Sequence, residues 1–180
     1  VNPDAKVYVK VTNSWYDPKG EEEAAKTLLN MNCDVIAQHC DTVYPQTLAQ
    51  EKGVYSIGYN SDMSKEAPEA CLCSVIWNWS AYYTSAVQSV IDGTWDGSNY
   101  YGGMNENLVS ITPVADFAVD TTQEKVNVAK QQILSGKNGV FDGVIETNTG
   151  ATVGTAGKTL DDSVITGGIN WYFKTVSVIE

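Results

Sequence analysis

"DVIAQHCDTVYPQTLAQEKGVYSIGY", residues 34–59, reads as a strand, a helix and a strand. "DVIAQH" (34–39) is a short apolar run suited to a buried strand, Pro45 to Lys52 a short helix, and "VYSIGY" (54–59) a further strand. The alternation extends both ways. Upstream, "AKVYVKVT" (5–12) alternates valine with lysine and tyrosine, as a strand does, and "DPKGEEEAAKTLLNMN" (17–32) reads as a helix. Asp17 is its candidate N-cap and Pro18 its first helical residue. Glu21, Glu22 and Glu23 occupy the first turns, where the helix dipole favours acids, and Ala24, Ala25, Leu28 and Leu29 form an apolar stripe. Downstream, "CLCSVIW" (71–77) is the next strand, and a helix from about Ser80 to Asp92 stops at Gly93. Strands alternating with helices predict an α/β fold with a parallel sheet covered by helices on both faces.

The second half is less regular. "LVSITPV" (108–114) and "GVFDGVIET" (139–147) read as strands. "TTQE" (121–124) is a capping-box pattern ahead of a helix ending near Gly136. From Thr147 to Gly168 the chain is rich in Gly, Thr and Ser, which predicts loops. "GINWYFKTVSVIE" closes the sequence with a last apolar element.

Composition narrows the function. The 180 residues are 43% hydrophobic and 18% charged, a globular balance rather than a disordered one. All 11 basic residues are lysines, against 22 acidic residues, for a formal charge of -11. Such a surface repels phosphate backbones and anionic lipid, so nucleic acid is not an expected partner. Without arginine there is no bidentate clamp for phosphate or carboxylate, and a neutral ligand fits better. No run of 18 apolar residues is present to span a membrane as a helix.

Ligands of open α/β sheets bind outside the carboxyl ends of the strands. The predicted strands deliver Asn13, Ser14 and Trp15 to that edge, then His39, Cys40, Asp41 and Thr42, then Tyr59, Asn60, Ser61 and Asp62, then Trp77, Asn78 and Trp79. Aromatic faces beside small polar groups suit a flat heterocycle carrying hydroxyls. Within "SVIWNWSAYY" (74–83), Trp77 ends a strand and is expected at the edge. Trp79, Tyr82 and Tyr83 fall at helical spacing and are expected to pack.

In order and spacing, "NPDAKVYVKVTNSWYDPKGEEEAAKTLLNMNCDVIAQHCDT", "EKGVYSIGYNSDM", "SVIWNWSAYY", "DGTWDGSNYYGG", "ILSGKNGVFDGVIETNTG" and "GGINWYFKTV" resemble the basic membrane protein (BMP) family. These are substrate-binding lipoproteins of ABC transporters whose better-studied members bind purine nucleosides. The resemblance implies a type I periplasmic-binding fold of two α/β lobes and a hinge. It places this chain in the C-terminal part, with the first lobe, its signal sequence and its lipid-bearing cysteine outside it. Residues 1–107 then form most of the second lobe and 108–180 the hinge-crossing and closing segment. It also implies an extracytoplasmic protein, held at the membrane only by a lipid anchor absent from this chain, with a transporter permease as partner and no cofactor. On matching positions, Trp15 stacks on the base, Cys40 and Asp41 face the ligand, and Asn60 and Asp62 occupy the segment that grips the ribose hydroxyls. Asn60 stands where the family usually has an acid, and Trp77 where its nucleoside binders often have a lysine. A free base or a differently held nucleoside is therefore compatible with these residues.

Three rival readings draw on the same residues. "QHCD" (38–41) joins His, Cys and Asp, but strand neighbours point to opposite faces and do not readily form a triad. Gly-x-Ser-x-Gly, a glycine-rich phosphate loop and HExxH are all missing, so no enzyme is expected. His39, Cys40, Cys71 and Cys73 would make a zinc-stabilised structural domain only if two strands met at one end, whereas Cys71 and Cys73 start their strand and His39 and Cys40 end theirs. Buried structural thiols are the expectation. A sugar-binding module of the same fold class remains the nearest alternative, since sugars also use aromatic faces and Asp/Asn pairs.

Overall fold

The computed structural model describes residues 2, 4–137 and 139–179. In chain order the elements are β1 (Val7–Lys10), α1 (Pro18–Asn30), β2 (Val35–Ala37), α2 (Tyr44–Lys52), β3 (Tyr55–Asn60), β4 (Cys71–Trp77), α3 (Trp79–Ile91), β5 (Val109–Ile111), α4 (Thr122–Leu134), β6 (Asp142–Glu146), β7 (Thr152–Thr159), α5 (Asp162–Gly167) and β8 (Val176–Ile179). Two compact units divide the chain: Thr12–Asn127, and Val1–Val11 with Val128–Glu180.

The larger unit is an α/β layer built on a four-stranded sheet of order β2-β3-β4-β5. β2, β3 and β4 run parallel, and β5, which follows residue 107, closes the edge antiparallel to β4. α1 begins where the sequence places it: Asp17 Oδ1 accepts the Gly20 N–H at 3.0 Å, and Pro18 follows in the first turn. The helix lays Ala24, Ala25 and Leu29 inward, and Leu29 joins Ile36 of β2 and Ala49 of α2 in one core cluster. Cys33 packs against that cluster. A second cluster, Met63, Ala67, Ala70 and Cys71, closes the amino end of β4. Burial raises the pKa of the half-buried Cys33 and Cys73 thiols, and nearby Asp34 and Cys71 respectively add to the rise. Cys71 starts β4 whereas His39 and Cys40 follow the end of β2, so the parallel sheet separates them.

Two expectations for this unit need correction. The strand over 5–12 does not join this sheet: β1 pairs in parallel with β8, setting Val7 against Val176 and Val9 against Val178. Valines facing valines give that pair its cross-strand packing. Helical cover is also uneven. α1 and α2 pack on each other and on the sheet, but α3 has no buried residue, and Val87, Val90 and Ile91 are exposed. Its stop at Gly93 holds, in the left-handed conformation (φ 68°).

The smaller unit holds the β1–β8 pair and the β6–β7 hairpin. Here the loops expected over 147–168 are instead β7 and α5. The glycines that suggested a loop serve a close backbone approach. Gly154 has φ +82°, and a Cβ there would lie 2.2 Å from the Gly143 carbonyl oxygen. Gly143 is itself left-handed and marks a register shift beside Asp142.

Candidate functional site

The carboxyl ends of β2, β3 and β4 converge in one aromatic run. Trp15 meets His39 edge-on at 5.4 Å between ring centroids, and His39 meets Tyr59 at 4.2 Å. Tyr59 meets Trp77 at 6.3 Å, and Trp77 stacks on Trp79 at 5.5 Å. Beyond it the run continues through Tyr83, Tyr82 and Tyr100. The sheet order explains the sequence of rings: Trp15 lies in the loop tied to the one after β2, His39 follows β2, and Tyr59 and Trp77 stand at the carboxyl ends of β3 and β4, which lie side by side in that order. Trp15 is 61% exposed and presents an open face. Trp79 and Tyr83 correct the expectation of packing, since both are exposed and stack on one another. Tyr82 and Tyr100 wall a separate open cleft with Trp95 and Asp96.

Polar groups lie beside the first half of the run. Asn60 takes a left-handed backbone (φ 72°) at the end of β3, and its side-chain amide donates to Asp41 Oδ1 at 3.2 Å. The Asp41 N–H donates to the Trp15 carbonyl at 2.9 Å, which ties the loop after β1 to the loop after β2. Cys40 Sγ lies 3.6 Å from Thr12 Oγ1 and 3.7 Å from the Ser14 carbonyl. Of the six expected residues, Trp15 and Trp77 are thus linked through His39 and Tyr59, Asp41 is bonded to Asn60 and to Trp15, and Cys40 touches Thr12 and Ser14 in the loop that carries Trp15. Asp62 is engaged elsewhere. Its Oδ1 accepts the Ser64 N–H at 3.0 Å, and Ser64's hydrogen bonds hold its carboxyl below the usual range.

His39, Cys40 and Asp41 diverge: the imidazole goes to Trp15 and Tyr59, the thiol to Thr12 and Ser14, the carboxylate to Asn60. None touches another's reacting atom, so this segment does not assemble a nucleophile and its base. The ion pairs among the described residues join Lys19 to Glu23, Lys26 to Glu22 and Lys174 to Glu146, none of them at this edge. What the edge offers is ring faces and carboxylate or amide oxygens. Ring faces can stack on flat groups, and the oxygens can accept hydrogen bonds.

Sequence reading missed the groups that hold the two loops. Glu21, expected only as an acid favoured by the helix dipole, is buried and accepts the Asp17 N–H on Oε1 at 3.0 Å. Its Oε2 accepts both the N–H and the hydroxyl of Thr42, at 3.2 and 2.6 Å. The signal was half visible: an N-cap acid followed by a glutamate one turn on resembles a capping box. Thr42, 21 residues away, gave no such signal.

The comparisons agree with this architecture. The family model for PnrA-like ABC transporter substrate-binding proteins, Bmp, matches residues 1–141. A purine-binding protein of Brucella abortus (strain 2308) is 36% identical over 176 residues, 98% of this chain and 50% of the relative. A putative ABC transporter glucose-binding protein of Haloferax volcanii is 32% identical over 143 residues, 79% of this chain and 37% of the relative. The chain thus spans half or less of the length of these two relatives. Among solved structures, a transcriptional activator of the comK gene from Bacillus halodurans superposes with a TM-score of 0.60 at 20% identity, over 68% of this chain and 44% of that one. An ABC transporter solute-binding protein from Conexibacter woesei gives 0.51 at 19% identity, over 70% and 43%. These likenesses show the fold, and the family match with the Brucella relative shows the lineage: the chain belongs to the Bmp family of PnrA-like ABC transporter substrate-binding proteins.

Proposed function

We propose that this chain supplies one wall of the ligand cleft of an extracytoplasmic binding protein serving an ABC importer, and that the ligand is a neutral purine nucleoside or nucleobase. Thr12–Asn127 is then the core of one lobe, and the rest of the two-lobed protein supplies the facing wall. One observation carries the reading: the run Trp15–His39–Tyr59–Trp77 lies beside the Asp41–Asn60 pair at the carboxyl edge of a parallel sheet. The rings offer faces for a base, while Asp41 and the Asn60 carbonyl are acceptors for hydroxyl or amino groups. A phosphorylated ligand is disfavoured, because the ion pairs among the described residues lie away from this edge and the chain carries a formal charge of -11. The purine-binding relative from Brucella supports the ligand class. The function is capture and handover to a permease, without covalent chemistry, and a lipid anchor elsewhere in the protein holds it at the membrane.

A second reading is a sugar, favoured by the glucose-binding name of the Haloferax relative. Calorimetry on the intact two-lobed protein with inosine, guanosine, adenine, glucose and ribose separates the two. Heat from a purine and none from the sugars is expected. A pentose or hexose signal without a purine signal overturns the purine assignment.

A further inference from the structure

From the buried junction of Glu21 and Thr42, we infer that these two are positioning residues, which set the spacing between the Trp15 ring and the Asp41 carboxylate. The inference rests on the ligand site proposed above. Neither residue lies in the aromatic run. Glu21 is 2% and Thr42 7% exposed. A buried carboxylate is tolerated only when its oxygens are fully engaged, and three donors converge on this one. Its Oε1 holds the Asp17 N–H, two residues beyond Trp15. Its Oε2 holds the Thr42 N–H and hydroxyl, one residue beyond Asp41. On the other side, the Gln38 amide donates to the Thr42 carbonyl at 2.7 Å and to Gln46 Oε1 at 2.6 Å. Gln46, fully buried, donates onward to the Ile57 carbonyl of β3. Every polar group of Thr42 is therefore held by a side chain.

The geometry has a consequence for ligand binding. The Asp41 N–H···O=C Trp15 bond lies between these anchors, so the loop bearing the ring and the loop bearing the carboxylate are joined twice. Exposed loops joined once would each sample several positions, and ordering them would cost affinity. The double tie preorganises both before a ligand arrives.

The test uses the intact protein with Thr42→Val, Thr42→Ser and Glu21→Gln, read by inosine titration, thermal melting and amide hydrogen exchange. Valine keeps the shape and backbone N–H but removes the hydroxyl; serine keeps both donors. Thr42→Val is expected to weaken inosine binding about tenfold per folded molecule, the order expected for a lost hydrogen bond to a charged group. It should also speed exchange at the Asp41 amide, and Thr42→Ser should restore both. If Thr42→Val does not fold, Glu21→Gln serves as the second variant, since it keeps one acceptor and places an amide against the remaining donors. A lower melting temperature with unchanged affinity per folded molecule makes the junction merely structural and overturns the inference. Unchanged exchange at Asp41 overturns it whether or not a ligand binds. Should the unaltered protein bind neither purines nor sugars, the proposed function fails, and the exchange readings alone decide whether the junction holds the loops.

Discussion

Trp15→Ala in the intact protein separates a cleft residue from a core residue. With Trp15 61% exposed, about 150 Å² of a side chain that buries up to ~250 Å² is still open. A flat ligand resting on one face covers about half of that, and ~75 Å² at ~25 cal/mol per Å² is about 2 kcal/mol. Stacking adds ~0.5–1.5 kcal/mol. The variant should therefore bind inosine about 50- to 300-fold more weakly, at ~1.4 kcal/mol per tenfold. Stability should fall by less. About 100 Å² of the ring is buried against His39 and its loop, an upper limit of ~2.5 kcal/mol that alanine's own area and a compact unfolded chain reduce to about 1–2 kcal/mol. Calorimetry gives the affinity and urea unfolding the stability. If the protein unfolds while affinity per folded molecule is unchanged, Trp15 is core and the site lies elsewhere.

Two further substitutions test the packing. Tyr83→Ala, at a ring that is 58% exposed, stacked on Trp79 and tilted against Tyr82, should lower stability by no more than about 1 kcal/mol; a loss above about 3 kcal/mol in urea would show that α3 is covered in the intact protein. Gly154→Ala should cost several-fold more than Gly157→Ala, because both residues have positive φ but only the first would place its Cβ against a backbone carbonyl; equal losses, near the ~1–2 kcal/mol of left-handed strain alone, would refute the close approach.

The parts of the fold legible in the sequence are those whose signals are local. Asp17, Pro18 and the Ala24–Leu29 stripe define α1 without help from the rest of the chain, and "CLCSVIW" carries both ends of β4. β7 was hidden because Gly154 is explained only by Gly143 on the partner strand. Helical spacing puts Trp79, Tyr82 and Tyr83 on α3 but cannot say what lies against them, and the answer is one another, with Trp77 at one end and Tyr100 at the other. The residues of the candidate edge are legible as a list, since strand ends can be read off one by one. Their order is not: that Tyr59 lies between His39 and Trp77 follows only from β3 lying between β2 and β4. Glu21 and Thr42 are the extreme case, two residues that no local pattern joins.

Asn60 tests whether its departure from the family's usual acid has a physical reason at this site. Its amide donates to Asp41 Oδ1 at 3.2 Å, and its left-handed backbone suits asparagine and aspartate alike. An aspartate at 60 keeps that backbone but replaces the donor with a second negative charge. Both positions are exposed, so water screens the pair, and two like charges at this distance cost on the order of 1 kcal/mol. Asn60→Asp should therefore destabilise the Thr12–Asn127 unit by about 1–2 kcal/mol at pH 7, counting the lost hydrogen bond. The sign of the pH dependence follows. When one carboxyl of the pair is protonated the repulsion is gone and an O–H can donate across the gap, so the penalty is small at pH 4. It grows as the pH rises and both carboxyls ionise. Urea unfolding of both proteins from pH 4 to 8 measures the gap. A gap that stays flat, or narrows as the pH rises, would mean that Asn60 and Asp41 do not face each other, and the acceptor pair assigned to the ligand would have to be sought elsewhere on the edge.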